Sequence, residues 1–338
     1  MGLDVVVGGF FGDEGKGKVV AYISLAYKPK LLVRTGSVNA GHTVVYRGKR
    51  YKLRLVPSGF IYPDAGLRIA AGALIRLDVF WEETRRLGVL DRIKVDANAG
   101  VIEEKHVEAE RRDALLSSEI GSTLQGVGAA MADRVLRRLR LARDYPELKP
   151  YITDVALEVN EAIERGDYVL VEGCQGTFLS LYHGTYPYVT SRDTTASAVL
   201  SEVGVGPKKV SNIIVVFKSY VTRVGAGPLP GELSAKEAER LGLIEYGTVT
   251  GRPRRVAPFN FELARRAVML NSATEVALTK IDKLFPEAKC VREWDKLPRE
   301  ARRWIEDVED KIRVPVTLVG TGEEVECMVD RRREVGVV

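Results

Sequence analysis

The sequence is poor in cysteine and in long apolar runs. Its 338 residues include three cysteines, an odd number without metal-ligand spacing, so we expect neither a disulfide framework nor a zinc site. A reducing compartment, the cytoplasm, fits this usage best. No basic segment followed by an apolar stretch opens the chain, and the longest uncharged apolar run is far below the roughly 20 residues that cross a bilayer. We therefore expect no signal peptide and no membrane span.

Neither sign of charge dominates the composition. Lys and Arg total 51 against 46 Asp and Glu, which gives a net charge of +5 spread along the chain rather than a basic tail. This balance does not require nucleic acid as a partner, and it suits an acidic small molecule such as a nucleotide equally well. Hydrophobic residues make up 45 % of the chain, enough at this length for a substantial core.

Strand-like and helix-like segments alternate along the chain, which predicts an α/β fold with a large, mostly parallel central sheet. Strands are predicted at residues 3–7, 31–34, 93–95, 168–171, 213–217, 276–279 and 314–319, the last of them final in the chain. Helices are predicted from Lys16 onward and at residues 78–86, 155–163, 261–270 and 302–312. No Pro/Gly/Ser-rich linker divides the chain, so we predict a single domain over residues 1–338 with loop and helix insertions.

A glycine-rich loop lies between the first predicted strand and the first helix. It reads GDEGKGK over residues 12–18, and its backbone N–H groups and the helix dipole would bind phosphate. The pattern matches a P-loop except at Val19, where a P-loop has the hydroxyl that binds magnesium. A standard Walker A enzyme is therefore disfavoured, and Asp13 is the obvious carboxylate for a metal ion. The alternative is a turn that merely packs, but two crowded lysines without an anion argue against it.

The segment Thr279 to Asp282 follows a strand rich in β-branched residues. The spacing predicts that the side chains of Lys280 and Asp282 share one face at the carboxyl edge of the sheet. A carboxylate there can accept hydrogen bonds from both N1–H and N2–H₂ of guanine, which would favour GTP over ATP. Such a pair is as often part of an ordinary surface, so the prediction depends on the phosphate loop beside it.

Three other segments carry side chains suited to binding or catalysis. Gln175 lies between glycines after a strand, where a solvated turn is the alternative, and His42 lies in a polar loop that is a catalytic setting more than a core one. Threonines and arginines at residues 248–255 suit a carboxylate or a phosphate, or else form a solvated basic loop.

Two further predictions concern residues outside these segments. His106 is expected to face solvent on a charged helix. Five arginines are expected to form a stripe on one helix over residues 133–143, where most would be solvated and one or two would meet a phosphate: Arg134, Arg137, Arg138, Arg140 and Arg143.

Together these motifs resemble the adenylosuccinate synthetase family. The resemblance covers nearly the whole chain and rests on residues 12–18 (GDEGKGK), 39–43 (NAGHT), 172–177 (EGCQGT), 183–191 (HGTYPYVTS), 222–228 (TRVGAGP), 248–255 and 279–282 (TKID). It implies a GTP-dependent C–N ligase of purine biosynthesis, which joins IMP and L-aspartate to adenylosuccinate through a 6-phosphoryl-IMP intermediate. It also implies one Mg²⁺ per active site and a homodimer, with neither nucleic acid nor membrane as a partner.

The resemblance implies roles residue by residue. The catalytic residues would be Asp13, His42 and Gln175, and Asp13 with the carbonyl of Gly41 would hold the metal. The implied GTP contacts are Gly12, Asp13, Glu14, Gly15, Lys16, Gly17, Lys18, Gly41, His42, Thr43, Arg254, Lys280, Ile281, Asp282, Gly320, Thr321 and Gly322. The implied IMP contacts are Asp13, Glu14, Gly15, Lys16, Asn39, Ala40, Gly41, His42, Thr123, Gln175, Thr190 and Arg252, with Arg137 supplied by the second subunit. Aspartate would contact Thr248, Val249, Thr250, Gly251, Arg252, Pro253 and Arg254. The chain departs from the family at Gln125, where an arginine is usual, and at Pro253 within a run of arginines.

Two functions of other classes remain open on the sequence alone. A GTP-binding switch would bind partners according to its nucleotide and hydrolyse GTP slowly, but it gives no role to His42 or Gln175. A basic nucleic-acid-binding protein is disfavoured because no clustered aromatic residues accompany the arginines.

Overall fold

Apolar runs of the sequence form the strands of a computed structural model, which describes residues 2–246, 251 and 253–338. In chain order the strands of this part are β1 (Leu3–Gly8), β2 (Leu31–Arg34), β3 (His42–Tyr46), β4 (Lys49–Leu53), β5 (Gly66–Ile69), β6 (Leu74–Ile75), β7 (Ile93–Asp96), β8 (Gly100–Val101), β9 (Ile152–Thr153), β10 (Val169–Glu172), β11 (Val210–Lys218), β12 (Tyr220–Arg223), β13 (Arg255–Pro258), β14 (Glu275–Thr279), β15 (Val316–Gly320) and β16 (Met328–Asp330). Ten of these described strands form one sheet in the order β16-β15-β14-β11-β1-β10-β2-β5-β7-β9. Its pairings are parallel except that of β15 with β16, which confirms the predicted fold class.

Helices connect the strands and cover the sheet. In the described residues they are α1 (Lys16–Tyr27), α2 (Leu77–Leu87), α3 (Glu104–Arg112), α4 (Val127–Val135), α5 (Val155–Glu164), α6 (Ala196–Val203), α7 (Ala235–Arg240), α8 (Phe261–Asn271), α9 (Ile281–Leu284) and α10 (Arg299–Ile312). A π-helical segment, Leu115–Ile120, precedes α4. None of the helices in the described residues is long and apolar enough to cross a membrane.

Successive residues of β1 enter two different hydrophobic cores. Val6 packs with residues of α1 and α2 in one core, whereas Val5 and Val7 pack with residues of α5, α6, α8 and α10 in the other. Neighbouring side chains of a strand point to opposite faces, so a central parallel strand is buried on both sides. Helices therefore occupy both faces, and the carboxyl edge of the sheet is the place where α/β proteins bind ligands.

Apart from the helix predicted over residues 133–143, the strands and helices whose bounds were predicted begin and end within three residues of the observed ones. The prediction for the last strand was wrong in its order along the chain. β15 begins at Val316, and β16 follows it and pairs antiparallel, with Val319 opposite Val329. A final three-residue strand is too short to show a period in the sequence.

The predicted arginine-striped helix was wrong. α4 ends at Val135, and Arg137 has a left-handed backbone with φ 62°. The chain turns there because Leu141 forms an antiparallel bridge to Gly100 of β8, and the N–H of Val101 donates to the carbonyl of Arg140. Long-range pairing thus overrides a local helical pattern.

The prediction that His106 faces solvent was also wrong. Its side chain is buried at the start of α3, where Nδ1 accepts the backbone N–H of Glu103 at 2.9 Å. Nε2 hydrogen-bonds to Oδ2 of Asp133 on α4 at 3.1 Å. The imidazole thus caps one helix and joins it to the next, and both nitrogens have partners.

The structure contains a disulfide bond between Cys290 and Cys327, contrary to the expectation from cysteine number. The two residues are 37 positions apart, but the segments meet because the N–H of Cys290 donates to the carbonyl of Thr321 at 2.7 Å. Closing a loop of this length restricts the unfolded chain and would stabilise the fold by about 4 kcal/mol. Cys174 remains a buried free thiol.

Candidate active site

The phosphate loop is held in place by its own acidic residue. β1 ends at Gly8 and α1 begins at Lys16, so the loop emerges at the carboxyl edge of the sheet. The buried carboxylate of Glu14 accepts the backbone N–H groups of Phe10 at 3.0 Å and Gly12 at 2.8 Å. Gly15 caps α1 with φ 93°, a conformation that residues with a side chain rarely adopt.

The two lysines of this loop lie in different surroundings. Lys16 lines a cavity, and its Nζ donates to Oε2 of Glu14 at 2.7 Å and to the carbonyl of Gln175. Lys18 donates instead to the carbonyls of Gly322 and Cys327, each at 2.6 Å. Burial lowers the pKa of Lys18 to about 7. Lys18 therefore joins α1 to the segment after β15, and its contact with GTP stays a prediction.

A cavity of about 400 Å³ opens beside the loop. Leu115, Ile120 and Leu179 contribute apolar walls. The polar side and the loop backbone come from residues predicted to bind substrate, namely Gly12, Asp13, Lys16, Asn39, Ala40, Gly41, His42, Thr123, Gln175 and Thr190. The structure thus brings together ten predicted residues from five separate segments of the chain.

His42 is oriented by a glutamate that the sequence analysis did not single out as a site residue. Oε1 of Glu172, at the end of β10, hydrogen-bonds Nδ1 of His42, and Arg34 Nη1 lies 3.6 Å from the same oxygen. Burial opposes ionisation of this carboxyl, but Arg34 and His42 outweigh it and lower the pKa of Glu172 to about 2. The carboxylate is therefore ionised and acts as acceptor, so Nδ1 carries a hydrogen and Nε2 is turned away from it.

Four buried polar atoms on residues that line the cavity have no hydrogen-bond partner within the described residues. They are Nε2 of His42, Oε1 of Gln175, Oδ1 of Asn39 and Nε of Arg223. The Gln175 amide is fixed on its other side, because Nε2 donates to Oγ1 of Thr190 at 2.7 Å. Unpaired buried polar atoms are costly, so their concentration on one cavity indicates a polar ligand.

Asp13 lies at the mouth of the phosphate loop with an unusual backbone. Its φ is 62°, and Gln175 across the cavity has φ 63°, both in the left-handed region that non-glycine residues avoid. Oδ1 of Asp13 lies 3.1 Å from Nη2 of Arg254. A carboxylate, an oriented imidazole and a fixed amide therefore surround one cavity.

The predicted base-binding segment lies beside the phosphate loop, but its local geometry differs from the prediction. Oγ1 of Thr279 donates to the carbonyl of Glu14 at 2.6 Å. β14 ends at Thr279, Lys280 has φ 62°, and Asp282 lies on α9 rather than on a strand, so the prediction of one shared strand face was wrong. Oδ1 of Asp282 is buried without a partner among the described residues, as an acceptor for a ligand would be. Ile281 is buried beneath it.

Some predicted residues lie elsewhere. Arg137 is exposed and does not line the cavity. Pro253 pairs with Tyr246 in an isolated antiparallel bridge. Oε1 of Gln125 accepts a hydrogen bond from Nη2 of Arg54 at 2.5 Å. Four residues assigned to aspartate or IMP lie outside the described residues, namely Thr248, Val249, Thr250 and Arg252.

Two glutamates of the site were missed by sequence reasoning. Glu172 ends a strand of otherwise apolar residues, and a charge at that position was a signal that something buried neutralises it. Glu245 contacts Arg254, Lys218 and Lys280, and its sequence surroundings give no comparable signal.

Comparison with known proteins gives one consistent result. A family model described as adenylosuccinate synthetase matches residues 5–144 and 139–291. The adenylosuccinate synthetase of Archaeoglobus fulgidus is 53 % identical over 99 % of both chains, and that of Pyrococcus horikoshii is 52 % identical over 97 % of this chain and 98 % of its own.

Two solved structures resemble the whole chain. The fully ligated adenylosuccinate synthetase from Plasmodium falciparum has a TM-score of 0.90 at 25 % identity and covers 98 % of this chain and 100 % of its own. The succinoaminodeoxyadenylate synthetase of cyanophage S-2L, bound to dGMP and dATP, has a TM-score of 0.79 at 29 % identity and covers 99 % and 98 %.

Proposed function

Because the chain belongs to the adenylosuccinate synthetase family, we propose that Asp13, His42 and Gln175 are its catalytic residues. The chain is a ligase of purine nucleotide biosynthesis, which joins IMP and L-aspartate to adenylosuccinate and converts GTP to GDP and phosphate with Mg²⁺. The observation that supports the three assignments is the cavity that all three residues line, where His42 and Gln175 each carry a buried polar atom without a partner among the described residues.

The first chemical step transfers the γ-phosphate of GTP to IMP. The Asp13 carboxylate takes the proton from N1 of the purine, so that electron density moves to O6. O6 then attacks the γ-phosphorus, the bond to the β-phosphate oxygen breaks, and GDP leaves. As an imidazolium, His42 keeps its Nδ1–H on Glu172 and donates Nε2–H to the developing charge on phosphate, and Gln175 hydrogen-bonds the purine as it becomes an anion. The product is 6-phosphoryl-IMP.

The second step uses that phosphate as the leaving group. The neutral amine of aspartate attacks C6, the bond from C6 to the phosphorylated oxygen breaks, and phosphate leaves with the proton that the amine nitrogen loses. We assign the aspartate carboxylates to residues 248–254, of which Arg254 lies beside Asp13. Arginine suits this role because its planar guanidinium binds carboxylate with two parallel hydrogen bonds.

Asp13 and the carbonyl of Gly41 fit Mg²⁺. Both residues line the cavity beside the phosphate loop, and the Asp13 carboxylate is placed against a cationic group, Nη2 of Arg254 at 3.1 Å. Magnesium prefers oxygen ligands and is usually held by one or two carboxylates together with substrate phosphates. The ion, when bound, neutralises charge on the phosphates of GTP. These two oxygen ligands take the place of the magnesium-binding hydroxyl that a P-loop has at the position of Val19.

The nucleotide would lie across three segments. We assign its phosphates to residues 12–18 and Arg254, and its guanine to residues 280–282 and 320–322. The unpaired Oδ1 of Asp282 supports this assignment, because the two oxygens of a carboxylate can accept from the N1–H and N2–H₂ groups of guanine. Lys18 supports the proximity of the segments, since it donates to the carbonyl of Gly322.

We expect phosphate release only when IMP, aspartate and GTP are all present. ATP lacks the donor pair that Asp282 would recognise, so replacing GTP by ATP should lower kcat/KM by at least about tenfold. Phosphate release and the loss of IMP are measured in parallel with each nucleotide. Turnover with ATP but not with GTP would overturn the base assignment. Phosphate release at the same rate without IMP or without aspartate would overturn the proposed reaction.

We propose a homodimer in which Arg137 acts in the active site of the other subunit. Arg137 is exposed outside its own cavity and follows Val135 and Leu136, whose side chains are 72 % and 55 % exposed. Apolar side chains exposed beside a cation suit a contact that a second copy covers.

Mixed dimers test the contribution of Arg137. Arg137→Leu and Asp13→Ala subunits are each expected to be inactive alone, but a refolded one-to-one mixture should regain about a quarter of wild-type activity. Half of the dimers are then hybrids, and each hybrid has one site with both wild-type residues. Activity is measured before and after subunit exchange, and a mixture of wild type with Asp13→Ala is the control. No recovery would show that Arg137 serves its own chain.

We also propose that the chain is one domain in the cytoplasm. One continuous sheet lies between both hydrophobic cores, which supports a single folding unit. The disulfide bond does not oppose an intracellular location, because intracellular proteins of hyperthermophiles can be rich in disulfides.

A further inference from the structure

The carboxylate of Glu245 is the centre of a buried group of charges outside the proposed catalytic set. Its Oε2 lies 2.9 Å from Nζ of Lys218 and contacts Nη1 of Arg254. Its Oε1 accepts the hydroxyl of Tyr220 and lies 3.5 Å from Nζ of Lys280. The Glu245 side chain is 13 % exposed, so these contacts are largely shielded from water.

Glu245 connects two parts of the proposed site, the reaction centre at Asp13 and the guanine segment at residues 280–282. Through Arg254 it reaches Asp13, because Nη2 of Arg254 lies 3.1 Å from the Asp13 carboxylate while Nη1 contacts Glu245. Through Lys280 it reaches the segment that carries Asp282. One carboxylate thus contacts a cation at the reaction centre with one oxygen and a cation at the guanine segment with the other.

Glu245 also has backbone contact with Arg254, the last residue of the segment assigned to aspartate. The backbone N–H of Arg254 donates to the carbonyl of Glu245 at 2.9 Å, and Tyr246 bridges to Pro253. Glu245 and Arg254 are therefore joined both through the backbone and through their side chains.

We propose that Glu245 is a positioning residue that holds Arg254 at the reaction centre and Lys280 at the guanine segment. The inference rests on the proposed contacts of Arg254 and Lys280 with GTP. Three cations, Lys218, Arg254 and Lys280, surround this carboxylate, and they would repel one another without it. Burial opposes ionisation of this carboxyl, but the three cations outweigh it and lower its pKa. The alternative is that Glu245 only neutralises the fully buried Lys218.

Glu245→Gln tests the proposal because it keeps the shape and removes the charge. We expect kcat/KM for GTP to fall by about tenfold or more, while KM for IMP stays within about twofold, since the IMP cavity is not lined by Glu245. Glu239→Gln is the matched control, because Glu239 is exposed on the neighbouring α7 and undergoes the same loss of charge. A stability role alone predicts a lower melting temperature and unchanged KM values.

Isotope exchange separates the two chemical steps. With IMP and ¹⁸O-labelled GTP but no aspartate, exchange between the bridging and non-bridging β-phosphate oxygens reports the first step alone. A misplaced Arg254 should slow this exchange in Glu245→Gln by about tenfold. An exchange rate equal to that of the wild type would overturn the proposed action at the reaction centre.

A double-mutant cycle tests whether Glu245 acts on GTP binding through Lys280. If Glu245 acts through Lys280, the combination of Glu245→Gln with Lys280→Ala should cost less in kcat/KM for GTP than the product of the single effects. If the double variant shows the full product of the two single effects, Glu245 does not act through Lys280. If the Gln variant does not fold, Tyr220→Phe removes one hydrogen bond to the carboxylate, and we expect about a threefold rise in KM for GTP. An unchanged KM in that folded variant would overturn the proposal.

The outcome for Glu245 is distinguishable from that for the proposed function. Asp13→Ala tests the catalytic assignment without reference to Glu245. Suppose that the wild-type enzyme ligates IMP and aspartate with GTP while Glu245→Gln has the same kcat and KM values. That result supports the proposed reaction and overturns only the positioning role of Glu245.

Discussion

Asp13→Asn is expected to lower kcat by about a thousandfold while IMP binding changes by less than about threefold. Asparagine keeps the shape of the side chain but cannot take a proton from N1 of the purine. It also removes the negative charge that would hold the metal and that Arg254 faces at 3.1 Å. The phosphate loop itself should persist, because Glu14 and Lys16 hold it without Asp13.

Steady-state rates with saturating substrates, with IMP affinity measured by calorimetry, separate chemistry from binding in this variant. Asp91→Asn is the control, because Asp91 is exposed and does not line the cavity. A kcat within about tenfold of wild type would contradict both proposed roles of Asp13, since general base catalysis alone contributes 10²-fold or more.

The fold and the phosphate loop could be predicted because their signals are local. A strand buried on both faces, such as β1, has a continuous apolar run, and a glycine-rich turn before a helix has a charge pattern that binds anions. The guanine segment could be located for the same reason. Its geometry could not, because the left-handed Lys280 and the four-residue helix α9 after it are too short to show a period in the sequence.

The residues that sequence reasoning missed or misplaced depend on distant partners. His106 is buried because Asp133 lies beside it, and the helix around Arg137 ends because Leu141 pairs with Gly100. Cys290 and Cys327 likewise meet only after the chain folds. A local pattern cannot show such partners, and for that reason Arg137 remains a proposal that needs the second subunit.

Glu172 belongs to this class as well, and its replacement carries the second large expected effect. Glu172→Gln is expected to lower kcat by roughly a hundredfold to a thousandfold with little change in KM for IMP. The carboxylate accepts Nδ1–H of His42 and the N–H of Ser58, the latter at 2.7 Å. Glutamine replaces one acceptor oxygen by an NH₂ group, which cannot accept a hydrogen bond from either His42 or Ser58. The imidazole then loses its orientation and its counter-charge, so Nε2 is no longer held toward the transferred phosphate.

A comparison with His42→Asn shows whether Glu172 acts through the imidazole. If it does, the double variant should have the kcat of His42→Asn alone, since there is no imidazole left to orient. Ser58→Ala is the control for stability, because it removes the 2.5 Å hydrogen bond from Oγ to Glu172 but leaves the contact with His42 in place. If Glu172→Gln lowers kcat by the same factor with and without His42, the carboxylate acts by another route. Glu172 would then not be the residue that orients Nε2 of His42, the proposed acid, toward the cavity.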